Sequence, residues 1–201
     1  MKKLVLAIAA ALVGTSTFSA QAAEPNYTYV QASYNWAGIS PEVGSDIDLN
    51  AWNLSGSLEF AEHFYGFVGY QDGTGDDWNS SMWNLGLGYK INIAENTDWF
   101  FQGKYIDESL KYKTGGITYL NDSDSGFGFG TGVRSMVTEQ IELQGAINYT
   151  MVNGLYGDGF GVGVSGIYHI NDTWGLNLGY AYDWRQDFNI SAIDFGARAS
   201  F

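Results

Sequence analysis

The sequence contains no cysteine among its 201 residues, and it has only two prolines and two histidines. The absence of cysteine excludes disulfide bonds, thiol chemistry and cysteine-based metal sites. No stretch has the apolar periodicity of a helix, and no linker rich in proline or serine divides the chain. We therefore expect a single domain that is built from strands.

The first 22 residues are organised like a secretory signal peptide. Lys2 and Lys3 precede an apolar run over Leu4–Val13, and Ala20-Gln21-Ala22 forms a cleavage signal of small residues. The apolar run is shorter than the about 20 residues that a transmembrane helix needs. We expect cleavage after Ala22, which leaves residues 23–201 as one mature domain.

Alternation of apolar and polar residues recurs along the mature chain. In the last segment, Ile193, Phe195, Ala197, Ala199 and Phe201 alternate with Asp194, Gly196, Arg198 and Ser200. A strand that is apolar on one face and charged on the other separates two solvents. A closed transmembrane barrel supplies lipid outside and a wet lumen inside. A secreted β-sandwich, which hides its apolar faces in a core, is the alternative.

The alternation is interrupted by clusters of Gly, Asn, Asp and Ser, and it predicts ten strands. These are Tyr27–Ala37, Asn50–Phe60, Phe64–Asp72, Ser81–Ile91, Asp98–Glu108, Ser125–Met136, Gln140–Val152, Gly159–His169, Trp174–Trp184 and Ile190–Phe201. An even number suits a bacterial barrel, and eleven tilted residues climb roughly 26 Å, the thickness of the hydrocarbon layer. The sequence therefore predicts an all-β, antiparallel, up-and-down transmembrane barrel. An eight-strand barrel is the alternative, although it discards a well-patterned pair of strands.

The predicted connections differ at the two ends of the barrel. Short turns over 61–63 and 137–139 alternate with longer segments over 38–49 and 109–124. Short turns are typical of the periplasmic side and long loops of the outer side. Because the number of strands is even, both termini are expected on the periplasmic side.

Aromatic residues on the predicted lipid face collect near the strand ends. The outer set is Trp36, Trp52, Tyr70, Trp83, Tyr105, Phe127, Tyr149 and Trp184, and the inner set is Phe60, Phe64, Tyr89, Trp99, Tyr168, Trp174 and Phe201. Two such belts are typical of the two interfaces of a membrane. The third strand leaves its orientation open, because Phe64-Gly66-Val68-Tyr70 and Tyr65-Phe67-Gly69 are both apolar.

The mature chain is strongly acidic. Without Lys2 and Lys3, 7 lysines and arginines stand against 22 acidic residues, which leaves a net charge of −15. Most of the excess falls in predicted outer loops, to which we assign Glu108 and Arg185 among others, and on the periplasmic side, to which we assign Asp98. The predicted lumen is balanced, with four acids and four bases: Glu59, Glu142, Asp183, Asp194, Lys90, Lys104, Arg134 and Arg198. Charges in a narrow lumen are costly unless paired, so we expect a bracing network; a constriction that selects small solutes is the second interpretation.

The acidic residues of the predicted outer loops limit which metals and partners the protein is expected to bind. Residues 72–77 and 122–126 are rich in oxygen ligands and prone to turns, as calcium loops are. Neither has the full EF-hand spacing, so we interpret both as solvated turns and expect no metal and no cofactor. Negative loops also disfavour nucleic acid as a partner. The expected surroundings are outer-membrane lipid and lipopolysaccharide, with divalent cations between the negative groups.

Three segments carry a resemblance to known proteins: residues 83–89 (WNLGLGY), 130–135 (GTGVRS) and 195–201 (FGARASF). They resemble the small outer-membrane β-barrel proteins of Gram-negative bacteria, the OmpA/OmpX-like group. More narrowly, the chain looks like a porin-like family with members named diffusible-signal-factor proteins. The resemblance covers nearly the whole mature chain and implies location and fold more than activity. It also implies that Phe201 is the assembly signal that the barrel-assembly machinery reads during insertion.

Enzymes of the outer membrane, such as proteases and lipid A deacylases or acyltransferases, are the rival class. Their chemistry commonly needs a histidine near the outer rim as a general base. His63 falls in a periplasmic turn and His169 at the inner end of a strand. We expect a monomeric, non-enzymatic barrel with an envelope-structural role and slow passive permeation of small polar solutes. The alternative is surface interaction or adhesion through the acidic outer loops, above all residues 109–124.

Overall fold

A computed structural model describes residues 24–42, 46–75, 77–152 and 157–201. They form ten strands: β1 (Tyr29–Pro41), β2 (Ile47–Ala61), β3 (Phe64–Gly75), β4 (Trp78–Ala94), β5 (Thr97–Thr114), β6 (Ile117–Met136), β7 (Ile141–Val152), β8 (Gly159–His169), β9 (Trp174–Arg185) and β10 (Phe188–Ser200). Among the described residues, no helix has the length and hydropathy that crossing a bilayer requires. The predicted signal peptide, residues 1–22, lies outside the described residues.

The ten strands close into one antiparallel barrel. Each strand pairs with its neighbours in the chain, and β1 closes on β10 from Tyr29↔Ser200 to Pro41↔Phe188. Closure pairs every strand on both sides, which is the arrangement that a sheet inside lipid requires. The predicted ten-strand barrel is confirmed and the eight-strand alternative is wrong. Residues 24–28 and Phe201 lie at the same end of the barrel, where Asn26 Nδ2 donates to the carbonyl of Phe201 over 3.1 Å. We call this end the periplasmic end and the opposite end the outer end.

The two faces of the wall alternate as predicted. Both aromatic belts lie on the outside of the barrel with their rings exposed, except that Tyr105 is only partly exposed between Trp83 and Phe127. The third strand, β3, places Phe64, Gly66, Val68 and Tyr70 on the outside. Tyr65, which is 2% exposed, turns into the lumen with Phe67. Partner side chains inside the barrel therefore decide the orientation that the sequence left open.

The predicted long outer loops are largely strand. β5 and β6 continue as a hairpin to a tight turn at Gly115 and Gly116, whose φ values of 58° and 81° lie in the left-handed region. This backbone suits a two-residue hairpin turn, and only glycine adopts it without strain. The expected loops were therefore wrong in form over 109–124 and, where β1 and β2 extend, over 38–41 and 47–49; residues 43–45 lie outside the described residues. Beyond the membrane a hairpin keeps its backbone hydrogen bonds without needing an apolar face, so the sequence carries no alternation there.

The two oxygen-rich segments also lie mostly in strands. Asp72 belongs to β3, whereas Asp122 and Asp124 belong to β6, where they pair with Leu110 and Glu108 of β5. Their interpretation as solvated turns was wrong for this reason. Asp76 lies outside the described residues. Within the part of the chain that the structure describes, no group of three or more His, Asp or Glu side chains is placed to hold a metal ion.

Glycines on the inner face accept side chains from neighbouring strands. A Cβ atom on Gly132 would lie 2.6 Å from Cζ of Phe100, and one on Gly161 would collide with the carboxylate of Asp183. At Gly163, in contrast, the nearest atom would be 3.7 Å away. An inward glycine gives room either to water or to a side chain from a neighbouring strand. Gly132 and Gly161 give room to side chains.

We expect an alanine at Gly88 to destabilise the barrel by about 1–3 kcal/mol, the usual effect of overpacking. Its methyl group would collide with the ring of Tyr65, which is buried in the lumen. The measurement is the midpoint of urea unfolding of the refolded protein in detergent, followed by gel mobility and tryptophan fluorescence. Gly163→Ala is the matched control, because its methyl group has ordinary contacts. Equal midpoints for the two variants would contradict the expected collision.

Candidate functional site

A buried ion pair between Arg134 and Glu142 lies on the inner face near the periplasmic end. Arg134 Nε donates to Glu142 Oε1 over 2.5 Å, and Nη2 donates to Oε2 over 3.1 Å. Glu142 is fully buried and Arg134 is 3% exposed. The pair is positioned by β6 and β7, since their register places Glu142 opposite Met136, two residues beyond Arg134. A bidentate, charge-assisted contact of this kind is among the strongest that side chains make.

The carboxylate of Glu142 contacts two further side chains. Arg198 Nη1 on β10 lies 3.7 Å from Oε1, and His169 Nε2 on β8 lies 3.3 Å from Oε2. Arg198 Nε in turn donates to Gln31 Oε1 on β1 over 2.9 Å. One carboxylate therefore links β6, β7, β8 and β10, and through Arg198 it reaches the closure with β1.

A second ion pair joins β2 and β4 at the same end. Lys90 Nζ lies 3.0 Å from the carboxylate of Glu59. On β5, Asp98 is fully buried and accepts a hydrogen bond of 2.9 Å from Asn92 Nδ2. Asp98 was predicted among the periplasmic charges, which was wrong. Asp98 lies inside β5, and alternation from Lys104 turns it into the lumen.

The side chain of Tyr27 also lies in the lumen at the periplasmic end. Its ring is 3% exposed and lies with its centroid 4.8 Å from Lys90 Nζ and 4.6 Å from Arg134 Cζ. The ring also packs on that of Tyr65 with centroids 4.6 Å apart. Arg134 Nη2 donates to the carbonyl of Asn26 over 2.8 Å, which holds the backbone of this segment. The predicted first strand began at Tyr27, which was wrong, since β1 begins at Tyr29. The Tyr27 ring nevertheless keeps the inward parity of Tyr29 and Gln31, and the cations hold it there.

We call this group of side chains the periplasmic network. It consists of Tyr27, Glu59, Lys90, Asp98, Arg134, Glu142, His169 and Arg198. Five of the eight residues that the sequence predicted for the lumen are in it, and every member projects from the barrel wall or the N-terminal segment into the lumen. The network fills this end with side chains rather than leaving a wide pore.

The outer half of the lumen holds a cavity of about 550 Å³, which we call the vestibule. Its upper wall is apolar: Ile39, Pro41, Ile47, Leu49, Trp78, Leu110, Leu120, Phe188 and Ile190. Its deeper lining is polar and charged: Gln31, Asn35, Asn53, Gln71, Glu108, Asp183 and Asp194. Arg185 also lines it, at the outer end of β9. A second cavity of about 280 Å³ shares Met82, Glu108, Asp183 and Arg185 with it and continues to Lys104. The outer half is therefore open space that becomes more polar with depth.

The remaining three predicted lumen charges lie in this half. Asp183 accepts from Asn148 Nδ2 over 3.4 Å, and Asp194 accepts from Asn177 Nδ2 over 2.5 Å. Lys104 lines the second cavity within electrostatic range of Asp183. The structure thus keeps these three charges apart from the periplasmic network.

A family profile described as "Outer membrane protein beta-barrel domain" matches residues 7–167 of the chain. The chain belongs to this family. The predicted resemblance to small outer-membrane barrels is confirmed, and the protein is located in the bacterial outer membrane. The narrower likeness to the porin-like family with diffusible-signal-factor members stays a prediction.

One curated relative and two solved structures illustrate the likeness of this outer-membrane barrel to known proteins. The nucleoside-specific channel-forming protein Tsx of Salmonella typhimurium is 26% identical over 226 aligned positions, covering 93% of this chain and 76% of Tsx. The β domain of the Bordetella autotransporter BrkA has a TM-score of 0.59 at 12% identity, covering 88% of this chain and 100% of that domain. The translocator domain of NalP from Neisseria meningitidis has a TM-score of 0.50 at 10% identity, covering 100% of this chain and 96% of that domain. At these identities the two structures show a shared fold alone.

Two charged residues of the vestibule were assigned to outer loops by the sequence analysis. Glu108 lies on β5 and is 5% exposed, and Arg185 ends β9. The alternation of faces along each strand could have identified both as lumen residues. Glu108 lies on the same strand face as Lys104, and Arg185 lies on the same strand face as Asp183. Together with Asp98, these residues add two acids and one base to the expected four of each sign. The expected neutral lumen was therefore wrong, because the inner face is more acidic.

The remaining predicted residues lie at the periplasmic end. Phe201 is 75% exposed, and its N–H donates to the carbonyl of Thr28 over 3.0 Å. Its role as an assembly signal stays a prediction. His63 lies in the turn between β2 and β3, and its carbonyl accepts from the N–H of Lys90 over 2.8 Å. Both histidines, His63 and His169, are thus far from the outer rim.

Proposed function

We propose that this outer-membrane barrel is a narrow channel for slow, passive permeation of small polar solutes. The single observation that carries the proposal is the vestibule, which shares Glu108, Asp183 and Arg185 with the second cavity. Solutes enter this space from the outer end, and the periplasmic network forms the constriction. Charged linings of this kind set selectivity in channels.

The relative Tsx supports the proposal, since its name describes a nucleoside-specific channel-forming protein. Nucleosides are therefore the first neutral solutes to test. Four amide side chains, Gln31, Asn35, Asn53 and Gln71, line the deeper vestibule and offer donors and acceptors to such a solute. The proposed activity is non-enzymatic and requires no cofactor.

The periplasmic network has a second role in the proposal. Its ion pairs join strands that are distant in the chain, so the same side chains that narrow the lumen also brace the wall. This stiffening is the envelope-structural part of the function. We further propose that the protein acts as a monomer among outer-membrane lipid and lipopolysaccharide, after insertion by the barrel-assembly machinery through Phe201. Adhesion through the β5–β6 hairpin stays a prediction.

The test is ion conductance of the refolded protein in a planar bilayer, with folding checked by gel mobility. We expect discrete openings with a preference for cations, because the inner face carries an excess of carboxylates. Lys104→Gln removes a lumen cation and is expected to move the reversal potential further towards cations. Lys111→Gln, on the exposed part of the hairpin, is the matched control and is expected to change nothing. Silence from demonstrably folded protein, or equal reversal potentials for the two variants, would overturn the channel.

A further inference from the structure

Glu108 is a buried carboxylate that faces open space. The residue is only 5% exposed, yet it lines both the vestibule and the second cavity. Its Oε2 atom accepts no hydrogen bond from any residue that the structure describes. A buried carboxylate oxygen without a donor is costly, and a positively charged group in the cavity would relieve that cost.

The cations of the barrel leave this carboxylate without a close partner. In the described part of the chain, no lysine or arginine nitrogen lies within 4.0 Å of Glu108. Lys104 is four residues away on the same strand, which places its Cα about 13 Å deeper. Arg185 lies in the same lining, but its Nη1 donates to the carbonyl of Gly157 over 3.0 Å.

Further acidic groups surround the same space. Asp183 lines both cavities with Glu108, and Asp194 lines the vestibule. The register also places Asp124 of β6 opposite Glu108, so the two side chains share one face of the sheet. The two cavities are thus lined by three carboxylates, Glu108, Asp183 and Asp194, against two cations, Arg185 and Lys104, and the net negative charge that remains favours a positively charged ligand.

The apolar upper wall of the vestibule favours a ligand that also has an apolar part. Above the carboxylates the lining is formed by branched aliphatic side chains with Trp78 and Phe188. A hydrated inorganic ion makes no favourable contact with such a wall. An apolar or aromatic group binds favourably there, because its surface is removed from water. A volume of about 550 Å³ is within the range of small-molecule sites.

We propose that the vestibule is a binding site for amphipathic organic cations, with the ammonium group held by Glu108 and Asp183 and the apolar body packed against the upper wall. Binding here needs no passage through the periplasmic network. The site therefore goes beyond the proposed channel, and it can be tested without conduction.

The first experiment compares three probes of one shape on the refolded wild-type protein. Isothermal titration calorimetry in non-ionic detergent measures 2-phenylethylamine, 2-phenylethanol and 3-phenylpropanoate, with titrations into empty micelles subtracted. We expect the amine to bind at least about tenfold more tightly than the alcohol, since a buried charge pair contributes 1.4 kcal/mol or more. The carboxylate is expected to bind most weakly. Equal affinities for amine and alcohol, or tighter binding of the carboxylate, would overturn the proposal.

The second experiment uses matched charge variants of one strand. Glu108→Gln is expected to weaken binding of 2-phenylethylamine at least about tenfold. Asp107→Asn removes the same charge from the next residue, whose side chain points to the opposite face, and is expected to leave the affinity unchanged. An unchanged affinity in Glu108→Gln would overturn the site. If Glu108→Gln does not fold, the site is tested by the affinity of Asp183→Asn for 2-phenylethylamine, which is expected to fall, and by the comparison of the three probes.

The two proposals fail separately. A folded protein that binds the amine in micelles but stays silent in bilayers contradicts the channel and supports the binding site. A conducting protein that does not distinguish amine from alcohol supports the channel and contradicts the binding site.

Discussion

Replacing Glu142 with leucine is expected to lower the free energy of unfolding by about 3–5 kcal/mol, the range observed when one partner of a buried ion pair is removed. The effect is large because this carboxylate serves Arg134, Arg198 and His169 together. Without it, two guanidinium groups remain in a buried part of the lumen with no other carboxylate in contact among the described residues.

The measurement is urea unfolding of the refolded protein in detergent micelles, followed by tryptophan fluorescence and gel mobility. Glu139→Leu is the matched control, since Glu139 is exposed in the turn between β6 and β7. We expect a change of a few tenths of a kcal/mol there, as is usual for surface substitutions. If both variants unfolded at the same urea concentration, Glu142 would not brace the barrel.

The barrel itself could be predicted from the sequence because two solvents impose alternation directly on every strand. Lipid selects one face and the wet lumen the other, so strand number, closure and aromatic belts follow from period 2. β8 illustrates this, since its predicted bounds, Gly159–His169, are those of the structure. The pattern stops at the edges of the membrane, where both faces of a hairpin are polar. For that reason the extended hairpin over 109–124 had the composition of a loop.

The site could be predicted only in part, for two physical reasons. Parity fixes which face a side chain takes, but the position of a residue along the strand decides whether that face is lumen or solvent. Asp98 and Glu108 are the first and last residues of the predicted fifth strand. They were therefore assigned to the periplasmic side and to an outer loop, although both share parity with Lys104. The cavity depends on which large side chains fill the space over inward glycines, and this is a property of the assembled barrel.

The contacts of Tyr27 could not be predicted from the sequence, although the predicted strand Tyr27–Ala37, with Trp36 on the lipid face, does place Tyr27 on the inner face by parity. Residues 24–28 have no partner strand in the ladder, so pairing register says nothing about which side chains the ring meets. Those contacts come from Lys90, Arg134 and Tyr65 on three different strands. Alternation fixes the face of the ring, but it carries no information about which distant strands supply these partners.

Removing the Tyr27 ring is expected to raise single-channel conductance several-fold. The ring lies between two cations of the periplasmic network. Among the described residues, it is the one large side chain of the network that comes from the N-terminal segment rather than the wall. Tyr27→Ala therefore widens the constriction while leaving the ion pairs of Glu142 and Glu59 in place.

The matched control is Tyr180→Ala, because Tyr180 is 46% exposed on the lipid face of β9. Single-channel recordings of both variants and the wild type, at one salt concentration and with folding checked by gel mobility, measure the difference. Equal conductance in folded Tyr27→Ala and wild type would place the narrowest point elsewhere in the lumen. A larger conductance in Tyr27→Ala alone would identify the N-terminal segment as the element that sets the width of the pathway, because the strands that form the wall are the same in all three proteins.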